Sequence, residues 1–381
     1  MQLIISLVFS EITLKGGNRK SFENLLIRNI RFALSSFQFS IENTHRRLVL
    51  SFDGDVDNEQ IKNSLSHVFG IDYLSVSHVT KPNLEAIVSF VENNLNTKGR
   101  SIKVVTKRSD KSFPLISQQV SASVGAALVK KGFSVDLHNP DQTIFIDILK
   151  DRALISFDKV KCYGGLPVKA SGSVLSLLSG GLDSPVASWF MMKRGCTVDF
   201  LHVHQFPQNS DVEKSKIVRL VEKVQKFSPV KANLFIVPYI EFYKKASLVP
   251  QKEELIAFRR FLFHLGSAIA KKYHHLGLVT GDSIGQVASQ TTENIVAADE
   301  ASSVTVFRPL LTFNKQEIIN IANKIDTFSI SIEPYKDCCS LVTNRNPATK
   351  VPLTIAKKLD DKLGMADIVQ KTLDQVSIIR I

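Results

Sequence analysis

Six residues near the middle of the chain have the types and spacing to hold a phosphate: Ser179-Gly180-Gly181-Leu182-Asp183-Ser184. An apolar run from Val174 to Leu178 precedes them, and a small-residue-rich stretch from Val186 to Met192 follows. Strand, glycine turn and helix start, in that order, present backbone N–H groups to an anion. The glycines let the backbone approach closely, and Ser179 and Ser184 add hydroxyl donors. No Gly-Lys-Ser/Thr follows at Walker A spacing, and the pattern is not Gly-x-Gly-x-x-Gly. A plain turn needs neither the two serines nor the aspartate. Beside bound phosphates, Asp183 makes sense as a Mg²⁺ ligand, because magnesium takes oxygen donors together with substrate phosphates. The blander reading is a carboxylate that stabilises a helix N-terminus.

Cys338-Cys339 is the second reactive constellation. Deprotonated thiols accept and deliver sulfane sulfur, and Lys336 and Lys350 lie close enough in sequence to favour the thiolate. Adjacent cysteines also occur as core filler. The other two cysteines, Cys162 and Cys196, form no Cys-x-x-Cys pair, so a disulfide scaffold is excluded and a reducing cytoplasm fits. The first residues are apolar but lack a basic leader and a cleavage site, and no apolar run approaches a membrane span. A soluble protein without membrane contact is expected.

Hydrophobic residues make up 44% of the 381 and charged residues 22%, the balance of a globular chain rather than a disordered one. The net charge of +12 favours a polyanionic partner, and the excess is spread evenly along the chain. Two basic turns stand out. Lys15, Arg19 and Lys20 form one, and Lys107, Arg108 and Lys111 the other. Both have the chemistry to grip RNA phosphates, and both are equally readable as solvated surface.

The elements that must position these groups follow from periodicity. Residues 2–9, 47–52 and 73–79 read as strands around helices at 21–37, with Ser21 as a candidate cap, and 58–68. That is a small α+β, ferredoxin-like layer. A similar unit follows, with helices at 83–96 and 117–131 and strands at 101–106, 134–137 and 143–149. After the glycine loop, strands at 196–202, 234–237 and 276–280 alternate with helices at 212–227 and 253–273. Such alternation predicts a doubly wound parallel sheet with ligands at the strands' carboxyl ends.

Several blocks closely resemble the bacterial tRNA 4-thiouridine synthetase family (tRNA sulfurtransferases, ThiI). They are Ser10-Glu11-Ile12, Leu14-Lys15-Gly16, Lys107-Arg108-Ser109-Asp110-Lys111-Ser112-Phe113-Pro114, Val135-Asp136-Leu137-His138-Asn139-Pro140-Asp141 and Gly164-Gly165-Leu166-Pro167-Val168. The glycine loop, Gly285-Gln286-Val287-Ala288-Ser289-Gln290-Thr291 and Ile330-Ser331-Ile332-Glu333-Pro334-Tyr335 continue the match, in order, over almost the whole chain. The resemblance implies a ferredoxin-like domain (1–60), a THUMP RNA-binding domain (61–160) and an ATP pyrophosphatase (PP-loop) domain (170–381). It also implies the form that lacks a rhodanese domain.

By the same resemblance the activity is ATP-dependent thiolation of uridine 8 of tRNA. ATP and Mg²⁺ would be held by Leu177, Leu178, Ser179, Gly180, Gly181 and Ser184, by His202 and Val203 around the base, and by Arg259, Gly281 and Gln290. Asp183 and Lys315 would be catalytic, the lysine stabilising the α-phosphate or the leaving pyrophosphate. Persulfide sulfur from a cysteine desulfurase would load onto Cys338 or Cys339, Cys338 being taken first. The basic turns would contact tRNA, and a homodimer is expected. An iron–sulfur cluster is not, since its partners near His202–Phe206 are missing. Sulfur supply for thiamine is a further family association.

Two departures, Gly281-Asp282-Ser283 for Gly-Glu-Ser and His202-Val203-His204 for His-Phe-His, preserve the chemistry. The third, Thr343-Asn344-Arg345-Asn346-Pro347 in place of Pro-Lys-His-Pro, bears on the geometry around the cysteines. Two other readings compete. One is a pyrophosphatase acting on a small molecule or another tRNA base, which a tRNA-independent ATP–pyrophosphate exchange would reveal. The other is an RNA-binding protein without turnover, which tight tRNA binding without ATP consumption would reveal.

Overall fold

The computed structural model describes residues 3–44, 47–95, 100–335, 338, 342 and 347–381. It divides into two units, Met1–Leu166 and Pro167–Ile381.

In the first unit, β1 (Leu3–Val8) is followed by α1 (Arg19–Ala33), β2 (Phe39–Thr44), β3 (Arg47–Phe52), α2 (Asn58–Ser66) and β4 (Tyr73–Thr80). β1 pairs antiparallel with both β3 and β4, giving the strand order β2-β3-β1-β4 of a ferredoxin-like layer. Its central position explains why Ile5 and Leu7 are fully buried, packed with Leu26 and Ile30 of α1. α3 (Leu84–Asn94), β5 (Ser101–Arg108), α4 (Ser117–Lys130), β6 (Ser134–Val135), β7 (Gln142–Ile148), β8 (Ala153–Ser156) and β9 (Val160–Lys161) complete the unit. β5 runs parallel to β6 and β7 over a separate core around Ile87, Val124 and Ile144. β8 pairs with β4, so the two layers share one sheet.

Three strands here escape a reading by periodicity. β2 is an edge strand whose polar residues leave it half solvated, and β8 and β9 are short. α1 begins two residues before the expected cap. Asn18 is its N-cap and makes no side-chain bond there.

The second unit starts with β10 (Ser173–Leu177), α5 (Asp183–Lys193), β11 (Thr197–His204), α6 (Ser210–Glu213), α7 (Lys216–Gln225) and β12 (Asn233–Pro238). The Ser215 hydroxyl accepts from the Ile217 N–H and starts α7, so the single helix expected over 212–227 is two. α8 (Ile240–Ala246), α9 (Glu254–Lys272), β13 (Gly277–Val279), α10 (Thr292–Asp299), β14 (Thr305–Phe307), α11 (Lys315–Lys324), α12 (Phe328–Ser331), α13 (Leu353–Leu363), α14 (Met365–Leu373) and β15 (Ser377–Arg380) follow. The strand order is β14-β13-β10-β11-β12-β15. All pairings are parallel except β15 on β12. From β10 the chain winds outward to β11 and β12, then returns to β13 on the other side. The crevice between the carboxyl ends of β10 and β13 is therefore the topological switch point, where such sheets bind ligands. A core rich in phenylalanine, including Phe235, Phe258 and Phe261, packs α9 against the sheet.

Candidate nucleotide and sulfur-transfer site

The loop between β10 and α5 is braced by its own hydroxyls. Ser184 Oγ accepts from the Ser179 N–H at 3.1 Å, and Ser179 Oγ accepts from the Gly181 N–H at 3.3 Å. Gly180 has φ +71°, a backbone conformation that favours glycine, and a Cβ there would come within 2.8 Å of Ile217 Cδ1. Gly281, just beyond β13, meets the loop at equally close range, and there against backbone. A Cβ at 281 would lie 2.8 Å from the Asp183 carbonyl carbon and 2.9 Å from the Ser184 nitrogen.

A cavity of about 390 Å³ opens at this junction. Of the nucleotide residues expected from the sequence, Leu177, Ser179, Ser184, Arg259, Gly281 and Gln290 line it, together with Asp183. Leu178, Gly180, Gly181, His202 and Val203 do not. His202 and Val203 are 1% and 7% exposed. The His202 imidazole donates from Nδ1 to the Leu178 carbonyl at 2.8 Å, and burial depresses its pKa to about 4.

Asp183 meets Lys315 at the start of α11. The lysine Nζ is 2.9 Å from Oδ1 and 3.3 Å from Oδ2, and Gln286 Nε2 donates to Oδ2 at 3.1 Å. An Asn314–Glu317 capping box sets the start of α11 and hence the place of Lys315. Across the cavity, Arg259 Nη2 binds Asp282 Oδ2 at 2.7 Å. Asp282 also accepts from Thr280 Oγ1 at 2.8 Å, Arg308 Nε at 3.1 Å and Gln290 Nε2 at 3.4 Å. Burial pushes this carboxyl's pKa up, but Arg259 and Arg308 outweigh it and hold the group below the ordinary aspartate range. Arg308 carries no signal in the sequence, while Gln286 and Asp282 are visible there only as members of motifs.

Two buried acceptors on the cavity wall, Gln286 Oε1 and Gln290 Oε1, have no hydrogen-bond partner among the described residues. Orphaned buried carbonyls are costly, and polar ligands supply the missing donors. No cluster of three His, Cys, Asp or Glu side chains suited to a metal occurs among the described residues. A single carboxylate beside a phosphate loop nonetheless suits Mg²⁺, which keeps waters and shares its remaining ligands with nucleotide phosphates.

Cys338 lies near the carboxyl end of β11. Cys338 is 1% exposed, and its thiol donates to the Val203 carbonyl at 3.4 Å. Cys339 and Lys336 lie outside the described residues. Lys350, the other lysine near the thiols in sequence, pairs its ammonium with Glu293 at 2.9 Å.

In the first unit, a cleft of about 500 Å³ is lined by Ser10, Thr13 and Arg47 and by Lys107, Arg108 and Ser109 of the second basic turn; Lys15, Arg19 and Lys20 do not line it. Lys20, Lys107 and Lys111 are exposed. Arg19 is committed to Glu23 at 2.6 Å, and Lys15 lies over the Phe22 ring. Arg108 braces its own loop, donating to the carbonyls of Phe113 at 2.7 Å and Leu115 at 3.0 Å.

The family model described as Thiamine biosynthesis protein (ThiI) matches residues 169–365. The chain belongs to the ThiI family. A ThiI ferredoxin-like domain model matches residues 4–75 and a THUMP domain model residues 84–158, so the ferredoxin-like, THUMP and PP-loop fold expected from the sequence is present. A probable tRNA sulfurtransferase of Thermoanaerobacter pseudethanolicus is 40% identical over 371 residues, covering 95% of this chain and 96% of that protein. A probable tRNA sulfurtransferase of Coxiella burnetii is 34% identical and covers 100% of both chains. Among ThiI-like solved structures, a 4-thiouridine synthetase–RNA complex with bound ATP is 31% identical. It covers 100% of both chains with a TM-score of 0.85.

Proposed function

We propose that this protein is an ATP-dependent tRNA sulfurtransferase that converts uridine 8 of tRNA to 4-thiouridine. The observation that carries the reading is the cavity at the switch point. It is walled by the serine–glycine loop, by Asp183 paired with Lys315, and by two glutamine carbonyls awaiting donors. The names of the full-length relatives and the ATP- and RNA-bound neighbour support both substrates.

ATP lies along the Ser179–Ser184 loop, with its phosphates facing the start of α5. Arg259, fixed by Asp282, and Gln290 orient the nucleotide. Asp183 would hold Mg²⁺, which when bound neutralises phosphate charge. Lys315 then exchanges Asp183 for the phosphates and stabilises charge on the α-phosphate and the leaving pyrophosphate. The uridine O4 attacks the α-phosphorus, pyrophosphate departs and the base loses its N3 proton to solvent. A sulfane sulfur, received from a cysteine desulfurase onto the Cys338-Cys339 pair, then displaces AMP.

Exposed Lys20, Lys107 and Lys111 and the cleft lined by Arg47, Lys107 and Arg108 engage the tRNA backbone. The reading further takes the enzyme to be a cytoplasmic homodimer; no helix among the described residues is long and apolar enough to cross a membrane. The test is Asp183→Ala. Thiolation and pyrophosphate release are lost while tRNA binding is kept, and normal thiolation by this variant refutes the assignment.

A further inference from the structure

Nucleotide activation and sulfur delivery must occur within bonding reach of each other, and one side-chain pair links the segments that carry them. The carbonyl of Leu178, next to the phosphate loop, only accepts, so the His202 proton sits on Nδ1. That leaves Nε2 to accept from the Tyr335 hydroxyl at 2.8 Å. The low pKa of this buried ring keeps that neutral tautomer in place at neutral pH.

Tyr335 lies three residues before Cys338. Its ring stands edge-on to Phe206 at 5.6 Å, and a Cβ on Gly180 would come within 3.5 Å of it. Lys216 of α7 is 7% exposed and donates to the carbonyls of Ser331 and Glu333, each at 2.7 Å, which fixes the backbone leading to the tyrosine. The Cys338 thiol binds the carbonyl of Val203, the next residue after His202. Consecutive residues of β11 thus hold Tyr335 and Cys338, and neither His202 nor Tyr335 lines the nucleotide cavity.

We propose that the His202–Tyr335 hydrogen bond is a positioning device that holds Cys338 in register with the phosphate loop. Tyr335 then acts on sulfur delivery rather than on nucleotide binding. The proposal rests on the sulfur-transfer reading above. In the carrier route the terminal sulfane sulfur attacks C4 of the adenylated base, forming a C–S bond as the C–O bond to AMP breaks. A second thiol cleaves the resulting mixed disulfide, giving 4-thiouridine and a disulfide that an external dithiol reductant reopens. Free hydrosulfide makes the same C–S bond, loses its proton and needs neither the cysteines nor a reductant. Only the carrier route depends on where the cysteine segment sits.

The experiment compares wild-type protein with Tyr335→Phe, which keeps the ring and removes the strut. Thiolation of a tRNA transcript with Mg²⁺ and ATP is driven either by a cysteine desulfurase with cysteine and a dithiol, or by sodium sulfide. Leaving His202 Nε2 buried without its donor is expected to cost about tenfold in desulfurase-driven kcat. The KM for ATP and the sulfide-driven rate stay within about twofold of wild type, which also shows that the variant is folded. Equal losses on both routes, loss on neither, or a change confined to the KM for ATP overturns the proposal. A Cys338→Ser/Cys339→Ser variant with full desulfurase-driven activity overturns the sulfur-carrier reading itself, whatever Tyr335→Phe does.

Discussion

Replacing Gly281 by alanine tests the closest approach in the nucleotide site. The new Cβ would sit 2.8 Å from the Asp183 carbonyl carbon, 2.9 Å from Asp183 Cβ and 2.9 Å from the Ser184 nitrogen. Ordinary contact begins at 3.4 Å, and none of the three atoms is the end of a flexible side chain. Relief therefore requires the end of β13 and the start of α5 to separate by roughly half an ångström or more, in an interior packed too densely to absorb it. Overpacking of this kind costs about 1–3 kcal/mol of stability. Displacing a catalytic group by about 1 Å costs on the order of 100-fold in rate, and Asp183 sits on the displaced turn.

The expected result is a drop of at least about tenfold in tRNA-dependent pyrophosphate release, read by a coupled phosphate assay, with a midpoint of thermal unfolding lower by several degrees, about 2–4 °C per kcal/mol. Gly132→Ala is the control. Gly132 has φ +94° and nothing within 4 Å of its would-be Cβ, so alanine there meets backbone strain alone. It lowers stability and leaves pyrophosphate release unchanged. Wild-type release and a wild-type KM for ATP in Gly281→Ala would refute the argument that this contact sets the geometry of the site.

Two further outcomes follow from charge. The depressed pKa of Asp282 contributes stability that is present above the ordinary aspartate range and is lost as pH falls through the folded value. Asp282→Asn leaves Arg259 and Arg308 facing a neutral partner, at a cost of about 3–5 kcal/mol at pH 7, reduced because Arg308 also holds Asp299. The gap from wild type should narrow as pH drops below about 4 in chemical-denaturation profiles, and a constant gap contradicts the assignment. Lys107→Ala should weaken tRNA binding and lower the slope of log K against log salt by about 1. An unchanged slope would place Lys107 away from the phosphates.

Much of the chemistry could be read in the chain because its determinants are local. A strand, two glycines, two serines and an aspartate in succession make an anion loop by backbone geometry alone, and the loop is found between β10 and α5. The parallel sheet was legible for the same reason, since the buried strands are short apolar runs that alternate with helices. The edge strands β2 and β15 were not, because a strand with one free edge needs little hydrophobic pattern and takes its place from its neighbour.

By itself, then, the sequence determined the order of elements, the phosphate loop and the identity of the reactive side chains. Only the tertiary structure decided which partners those side chains meet. Lys315 reaches Asp183 across 132 residues, and Arg308 joins Arg259 on Asp282. Lys350, close to the cysteines in sequence, pairs with Glu293, and Arg108 spends its guanidinium on its own loop. His202, expected at the nucleotide base, is buried between the loop and Tyr335. Such pairings depend on which strand ends lie side by side, and strand order is a property of the whole sheet that no local stretch encodes.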